Sequence, residues 1–377
     1  MRILTVSYEF PPIGGGGGRA AMDICHNLVQ RGHKVRVLTS HFKGLSKEEN
    51  IAGLFITRVP VARRLPYKAS LLDMGGFVLS GSISGLKNIQ EWSPDIVHVH
   101  FAVPSGPVAW FLWRSSRIKY VLTAHLGDVP GGVPSKTDNW FRWLTPLTHP
   151  IWHDAARVVA VSGYSRQLAL KYYPVKIDTI PNGVDLSQLD PGVLKVGKPP
   201  RIVFAGRFVH QKNPLLLIRT LINLKSLNWQ CTLLGDGPLR GEMEKEIQRA
   251  GLMDRFLLPG WVTPDDVIQW FLKSDILFMP SISEGLPVSG VQGLALGLCI
   301  VASRIGGFVD LVEDGVNGYL IDSDDENSFI KCLEELLSDH VALERFRKAS
   351  RKKAHQFDIE KVVDAYEEIF LSVIGRN

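Results

Sequence analysis

Short apolar runs recur along this chain with helix-length stretches between them, and the cycle runs through twice. In the first cycle residues 3–6, 34–39, 54–59, 96–99, 120–123 and 158–161 read as strands, with helices over 19–31 and about 71–91. In the second, strands fall at 202–205, 230–234, 256–258, 276–280, 300–303 and 319–321, with helices at 215–224, 239–250 and 267–271. From 325 onwards the pattern is helical throughout. Strands that alternate with helices call for parallel, doubly wound sheets, because a parallel strand is reached only through a crossover. The expected fold is therefore α/β, with two Rossmann-like domains facing a ligand cleft. Residues 1–185 form the first domain, 186–200 a Gly/Pro/Lys-rich linker and 201–355 the second domain. Residues 356–377 form a helix expected to pack back on the first.

Length and composition agree with this. A chain of 377 residues suits two or three domains of about 100–200 residues each, and 45% hydrophobic with 21% charged residues is ordinary for a globular protein. The four cysteines, Cys25, Cys231, Cys299 and Cys332, have no paired spacing and read as buried thiols, not as a disulfide frame or a zinc site. The amino terminus reads as a first strand, not a signal peptide, and no run reaches the roughly 18–20 apolar residues of a membrane span. The cytoplasm is the expected location, with peripheral contact at the inner face of the membrane as a second element of that expectation. The net charge of +5 is mild. The basic run 345–353 reads as a solvated helix face, and no nucleic-acid-binding motif organises it, so nucleic acid is not an expected partner.

Chemistry concentrates at three places. The strand ending at Pro280 leads into Ser283-Glu284-Gly285-Leu286-Pro287-Val288 and then an apolar helix bearing Gln292. Glu284 is thus expected at the carboxyl end of a strand beside a helix N-terminus, the place where open α/β sheets bind ligands. Glu284 at the mouth and Gln292 along the helix can grip two parts of an extended polar ligand. Gly14, Gly15 and Gly16 open a run of five glycines after the first strand, where bare backbone can approach a phosphate or sugar. A dinucleotide fingerprint is disfavoured, since the second strand ends Leu38-Thr39-Ser40 with no acid for the ribose. Gly206-Arg207-Phe208 and Lys212-Asn213-Pro214 form the third place, a strand–loop–helix carrying two cations.

Taken in order, these motifs resemble the retaining family 4 glycosyltransferases of the GT-B fold. Pro11-Pro12-Ile13-Gly14-Gly15 with Arg31-Gly32-His33-Lys34-Val35 looks like the amino-terminal signature, and Ile180-Pro181-Asn182-Gly183-Val184-Asp185 like the interdomain crossing. Gly206-Arg207 with Lys212, Gly235-Asp236-Gly237-Pro238, Ser283-Glu284-Gly285 and Gly306-Gly307 complete the set. The resemblance implies transfer of a hexosyl unit from a nucleotide sugar, UDP- or GDP-linked, to a hydroxyl of a saccharide or lipid-linked acceptor, as in polysaccharide, lipopolysaccharide or glycolipid synthesis. It implies retention without a protein nucleophile, no metal and no cofactor beyond the donor substrate. Arg207 and Lys212 are placed to meet the charge that develops on the leaving diphosphate, one as a fork and one as a point charge. Glu284 is implied to bond the transferred sugar, aided by backbone N–H groups in the stretch Leu286 to Val288, with Pro287 part of the same donor-binding loop and Gly206, Gly235 and Gly237 lining the donor site. His125 matches the histidine near donor sugar and acceptor, and Asp128 is expected to orient it or to bind the acceptor.

The chain departs from the family at Gln292, where a second glutamate is usual, and at Asp310, where Glu is frequent. A sugar-nucleotide epimerase, a phosphorylase and an inactive nucleotide-sugar binder remain as alternatives. Asp322-Ser323-Asp324 matches a metal-binding triplet in text but reads as a turn and helix cap. The stretch 140–144 with Trp152, and Arg63-Arg64 with Tyr67-Lys68, read first as core aromatics and a solvated loop, and second as an interfacial patch on an anionic membrane.

Overall fold

The computed structural model describes residues 1–63, 70–133 and 141–375, the side chains of 141–144 excepted. The chain divides into two compact units, Met1–Gly183 together with the chain from Ile359 onward, and Val184–Asp358.

The first unit is built on an eight-stranded sheet ordered β3-β4-β2-β1-β5-β6-β7-β8. Its strands are β1 Arg2–Ser7, β2 Lys34–Ser40, β3 Glu48–Ile51, β4 Leu54–Val59, β5 Ile96–His100, β6 Tyr120–Ala124, β7 Arg157–Ala160 and β8 Ile177–Thr179. All neighbours are parallel except β3, which pairs antiparallel with β4. Parallel strands covered on both faces must be apolar almost throughout, and β5 and β6 are buried at every position. Helices Leu71–Trp92 and Ser105–Ser116 pack Phe77 and Leu112 against one face, where Trp152 lies flat on Tyr173 with ring centroids 4.2 Å apart. The other face takes helix Gly16–Gln30 and the terminal helix Ile359–Ile374, through Ile24, Leu28, Val362, Tyr366 and Phe370.

Four features of this unit were not legible in the pattern. β3, Glu-Glu-Asn-Ile, is too polar to signal a strand. It forms because the turn at Ala52 and Gly53, both at positive φ (49° and 86°), folds it back as an edge on β4. The first helix begins at Gly16 and so absorbs three glycines expected in a loop. Helix Ser105–Ser116 was not read, nor was β8, three residues long.

The second unit carries a six-stranded, wholly parallel sheet ordered β11-β10-β9-β12-β13-β14. These strands are β9 Arg201–Ala205, β10 Gln230–Leu234, β11 Phe256–Gly260, β12 Ile276–Met279, β13 Cys299–Ser303 and β14 Gly318–Ile321. The segment before β9 is held at Asp275, whose carboxylate accepts the N–H groups of Gly197 and Arg201 (3.2 and 2.8 Å). Arg347, from helix His340–Ala354, pairs with the same carboxylate and also donates to the carbonyl of Lys195 at 2.6 Å. Among the described residues no helix is long and apolar enough to cross a membrane.

Candidate functional site

Parallel sheets put every strand-to-helix loop at the same end. In the second unit the loops after β9, β10, β12 and β13 are therefore neighbours, since these strands are adjacent. The β9 loop turns through Lys212 and Asn213, the latter at φ 48°, an αL position that Asn tolerates. Helix Pro214–Asn223 then starts with Pro in its first turn and no side-chain cap. Lys212 Nζ reaches Glu284 Oε1 at 2.5 Å, and the Ser281 hydroxyl donates to that oxygen at 2.8 Å. Gln211 ties the two loops together, its side-chain amide donating to the Ser283 carbonyl (2.9 Å) and its backbone carbonyl accepting from Ile282 N–H (2.8 Å).

Glu284 is 6% exposed and would be costly to bury as a bare charge, so the Lys212 ammonium is what keeps it there. Arg207 is half-buried and has no ion-pair partner among the described residues. Helix Val288–Ala295 also begins without a side-chain cap, behind Pro287. Gln292 is half-buried on it, its amide making no hydrogen bond among the described residues. Two uncapped helix starts, a cation with no partner and a cation–carboxylate pair thus share one end of the sheet. Such an arrangement suits an anion plus a polyhydroxylic group.

The glycines here hold loops together. A Cβ at Gly235 would lie 2.0 Å from the Gly206 carbonyl oxygen, and one at Gly237 2.5 Å from that of Phe208. Gly306, at φ 50°, lies against the Glu284 carbonyl, where a Cβ would stand at 1.7 Å. The Asp322–Asp324 turn is corrected in one respect: the helix cap is Asp325, whose carboxylate accepts Ser328 N–H at 3.0 Å, while Asp322 lies 3.8 Å from Arg304.

In the first unit, β1, β5 and β6 are adjacent and their carboxyl ends gather Glu9, Phe101 and His125. The His125 ring stacks on Phe101 at 4.4 Å, and Phe101 takes the strained φ of 71°. Gly17 closes over both rings, for a Cβ there would stand 2.7 Å from Phe101 and 3.2 Å from His125. Burial holds the His125 imidazole down at about 4, well below the usual histidine range.

Asp128 is 2% exposed and forms a reciprocal capping box with His125, whose side chain accepts the Asp128 backbone N–H. Its carboxylate accepts the backbone N–H of His125 at 2.7 Å and that of Val103 at 3.4 Å, which fixes the loop. Burial raises its carboxyl to about 7, against the pull of those N–H groups. In the glycine run, a Cβ at Gly15 would meet nothing within 4 Å, whereas Gly14 is crowded. Glu9, which sequence reasoning missed, accepts the Gly15 N–H at 3.0 Å and leaves no room for a side chain at Gly14. Arg63, considered as a surface cation, is buried, with its guanidinium 4.8 Å over the Tyr8 ring and 4.0 Å from Glu9. Arg64, Tyr67, Lys68, Trp140 and the side chains of 141–144 lie outside the described residues.

The Arg31-Gly32-His33 motif serves the fold. Arg31 pairs with Glu360, Asp364 and Glu367 of the terminal helix, the Asp364 contact at 2.6 Å, and His33 meets Glu367 at 2.5 Å.

Two doubly wound, mainly parallel sheets, with a cationic, glycine-stitched loop end on the second, are the architecture of the GT-B class. The solved sucrose-phosphate synthase of Thermosynechococcus elongatus has this fold, with a TM-score of 0.85 over the whole of both chains at 17% identity. Residues 14–188 match the profile of glycosyltransferase family 4, and residues 188–353 that of glycosyl transferases group 1. The chain belongs to the family 4 glycosyltransferases. Among its relatives is an uncharacterized glycosyltransferase of Methanocaldococcus jannaschii, 26% identical over 98% of both chains. Another is the Escherichia coli UDP-Gal:alpha-D-GlcNAc-diphosphoundecaprenol alpha-1,3-galactosyltransferase, 28% identical over 78% of this chain and 79% of that one.

Proposed function

We propose that this protein transfers a hexosyl unit from a nucleotide sugar, UDP- or GDP-linked, to a hydroxyl group, with retention and without a metal ion. The observation that carries this reading is the convergence of Arg207, Lys212 and Glu284 at the carboxyl ends of β9 and β12, beside two uncapped helix N-termini. A diphosphate entering there draws Lys212 from Glu284 and meets Arg207, and the freed carboxylate accepts hydroxyls of the sugar. As the bond from C1 to the phosphate oxygen breaks, the two cations stabilise the charge left behind. The acceptor oxygen bonds C1 on the same face and its proton passes to the leaving phosphate. With that charge met by protein cations, no metal is required. Gln292 binds the ribose.

The acceptor we infer is a saccharide, free or lipid-linked; the name of the Escherichia coli relative supports a UDP donor and a lipid-linked acceptor. Peripheral contact with an anionic membrane at the inner face is supported by helix Leu71–Trp92, which exposes Leu72, Leu79 and Ile83 at 83, 71 and 73%. Arg63 takes no part in it.

The test is a panel of nucleotide sugars with saccharide and lipid-linked acceptors, followed by nucleotide release and by NMR of the new anomeric centre. An α-linked donor is expected to give an α-linked product in the presence of EDTA. Arg207→Ala and Lys212→Ala are each expected to lower kcat about 10²–10³-fold. An inverted product, or activity abolished by EDTA and restored by Mg²⁺ or Mn²⁺, overturns the corresponding part.

A further inference from the structure

Helix Leu71–Trp92 packs on one side only. A Cβ at Gly81 would lie 3.3 Å from Val108 and one at Gly85 2.8 Å from Leu112, so this helix runs parallel alongside helix Ser105–Ser116. On its opposite face Leu72, Gly75, Leu79 and Ile83 follow one another at helical spacing, all exposed. Over residues 71–86 the one charged residue is Asp73. Asp73 is buried, its carboxylate accepting the Ser70 N–H at 2.8 Å in the capping box that starts the helix. About four turns of exposed helix thus present large apolar side chains and no charge, where a solvated helix face is charged and polar.

Charge says what covers this face. The first unit carries 23 Lys and Arg against 15 Asp and Glu, whereas the second carries 20 against 23. The apolar face therefore sits on the cationic unit, and a surface that is both apolar inside and anionic outside complements it. At the far end of the helix pair, Arg114 lies over the rings of Trp110 and Trp113 (5.9 and 5.7 Å) and Arg117 over that of Trp113 (5.7 Å). Indoles with long cationic side chains are the residues that favour a membrane interface. The near end is the loop end of the sheet: Ser105, which starts the neighbouring helix, accepts the Tyr8 N–H at 2.9 Å, next to Glu9. Leu72 thus stands at the end of the first sheet where Glu9, Phe101 and His125 gather.

We propose that the face formed by Leu72, Leu79 and Ile83 inserts into the surface of an anionic lipid bilayer and directs the protein to acceptors anchored in that bilayer, in preference to free saccharides. The insertion stands on the first unit alone; the acceptor preference rests on the function proposed above. A helix lying at the headgroup boundary holds the loop end of the first sheet at the membrane, where an anchored acceptor is met at raised local concentration.

The test uses full-length protein with vesicles of phosphatidylcholine, alone or mixed with phosphatidylglycerol. The mixed vesicles are expected to bind more tightly, and salt to weaken that binding. The four native cysteines are buried, so Ile83→Cys takes an environment-sensitive fluorophore selectively. Its emission is expected to shift to the blue on mixed vesicles, while the same label at Val341→Cys, on an exposed site of the second unit, stays unshifted. Leu79→Ser combined with Ile83→Ser is expected to weaken vesicle binding about a hundredfold, about tenfold for each side chain withdrawn, with Tm unchanged. On an acceptor anchored in mixed vesicles, kcat/KM of this variant should fall by the same order, and on the free saccharide it should match the wild type. Vesicle binding that survives the double substitution overturns the insertion, as does an unshifted label at Ile83. A lipid-free dimer that the double substitution dissociates overturns it too, and gives the face to a second copy. If the double variant does not fold, the Ile83 label decides. An equal loss on free and anchored acceptors overturns the acceptor preference. Vesicle binding with no turnover on any donor counts against the transferase reading and leaves the insertion standing.

Discussion

At the residue scale, the chain holds several titratable groups away from water, and this has a thermodynamic consequence. His98, His100 and His125 are neutral in the folded state and take protons readily when unfolded, at about 6.5. Below that value the unfolded chain binds more protons than the folded one, so stability falls as pH drops from about 6.5 toward 4. Asp128 acts in the opposite sense. Its folded value of about 7 lies above the unfolded value near 3.8, so its contribution favours the folded state at low pH and is lost as pH rises through 7. Three histidines outweigh one carboxyl, and the net trend is acid lability. His98→Leu is expected to reduce the slope of stability against pH by about one proton, roughly 1.4 kcal/mol per pH unit, between pH 6.5 and 4. Chemical denaturation at several pH values reads this directly, and an unchanged slope would show that His98 is already charged in the fold.

Gln292 is the second residue-scale case. Its amide is half-buried and makes no hydrogen bond among the described residues, which fits a group waiting for a ligand. Charge-assisted hydrogen bonds exceed neutral ones by about 1 kcal/mol. Gln292→Glu is thus expected to lower donor KM several-fold with kcat little changed, because a ribose contact is alike in ground and transition states. Glu284→Gln, next to the reacting sugar, is expected to lower kcat. A reduced Tm with unaltered donor KM in Gln292→Glu would remove Gln292 from the ribose site.

At the element scale, two ion-pair clusters hold helices that carry no ligand. Arg347 and Asp275, both under 6% exposed in their side chains, join helix His340–Ala354, the segment before β9 and the start of β12. Truncating one partner leaves a buried charge alone, so Arg347→Ala is expected to cost about 3–5 kcal/mol in the melting of the second unit. The Arg31 cluster is more exposed, with Glu360 and Asp364 more than 60% open, and salt screens such pairs. Arg31→Ala should therefore cost little in global stability while raising amide exchange along the first turns of the terminal helix. Exchange unchanged there would mean that Tyr366 and Phe370 hold the helix by burial alone.

At the scale of the whole molecule, the two units differ in how the chain closes them. The second is a single stretch, Val184–Asp358, with its own parallel sheet. The first needs the chain from Ile359 onward, since Val362, Val363, Tyr366 and Phe370 complete one face of its core. Residues 184–358 expressed alone are expected to melt cooperatively and to gain Tm with the nucleotide diphosphate of the true donor. Residues 1–183 alone are expected to show no cooperative transition. A stable 1–183 fragment would show that the terminal helix is dispensable to that core.

The sequence by itself determined the two parallel sheets, and with them the place of the candidate site. Apolar runs of strand length separated by helices admit little else, and parallel topology forces Arg207, Lys212, Glu284 and His125 to the loop end of their sheets. Periodicity reports which face of an element is buried. It does not report which distant residue meets that face. Only the tertiary structure decided that Lys212 pairs with Glu284, 72 residues away, and that Arg31 serves the terminal helix 336 positions later. It alone put Glu9 on the Gly15 amide, buried Arg63 over the Tyr8 ring and aligned His98 and His100 behind His125. The Val-His-Val-His alternation marks one strand face, a signal that could have been read. Its meaning came from β6 and the terminal helix closing on that face, where desolvation holds the imidazoles below the usual histidine range.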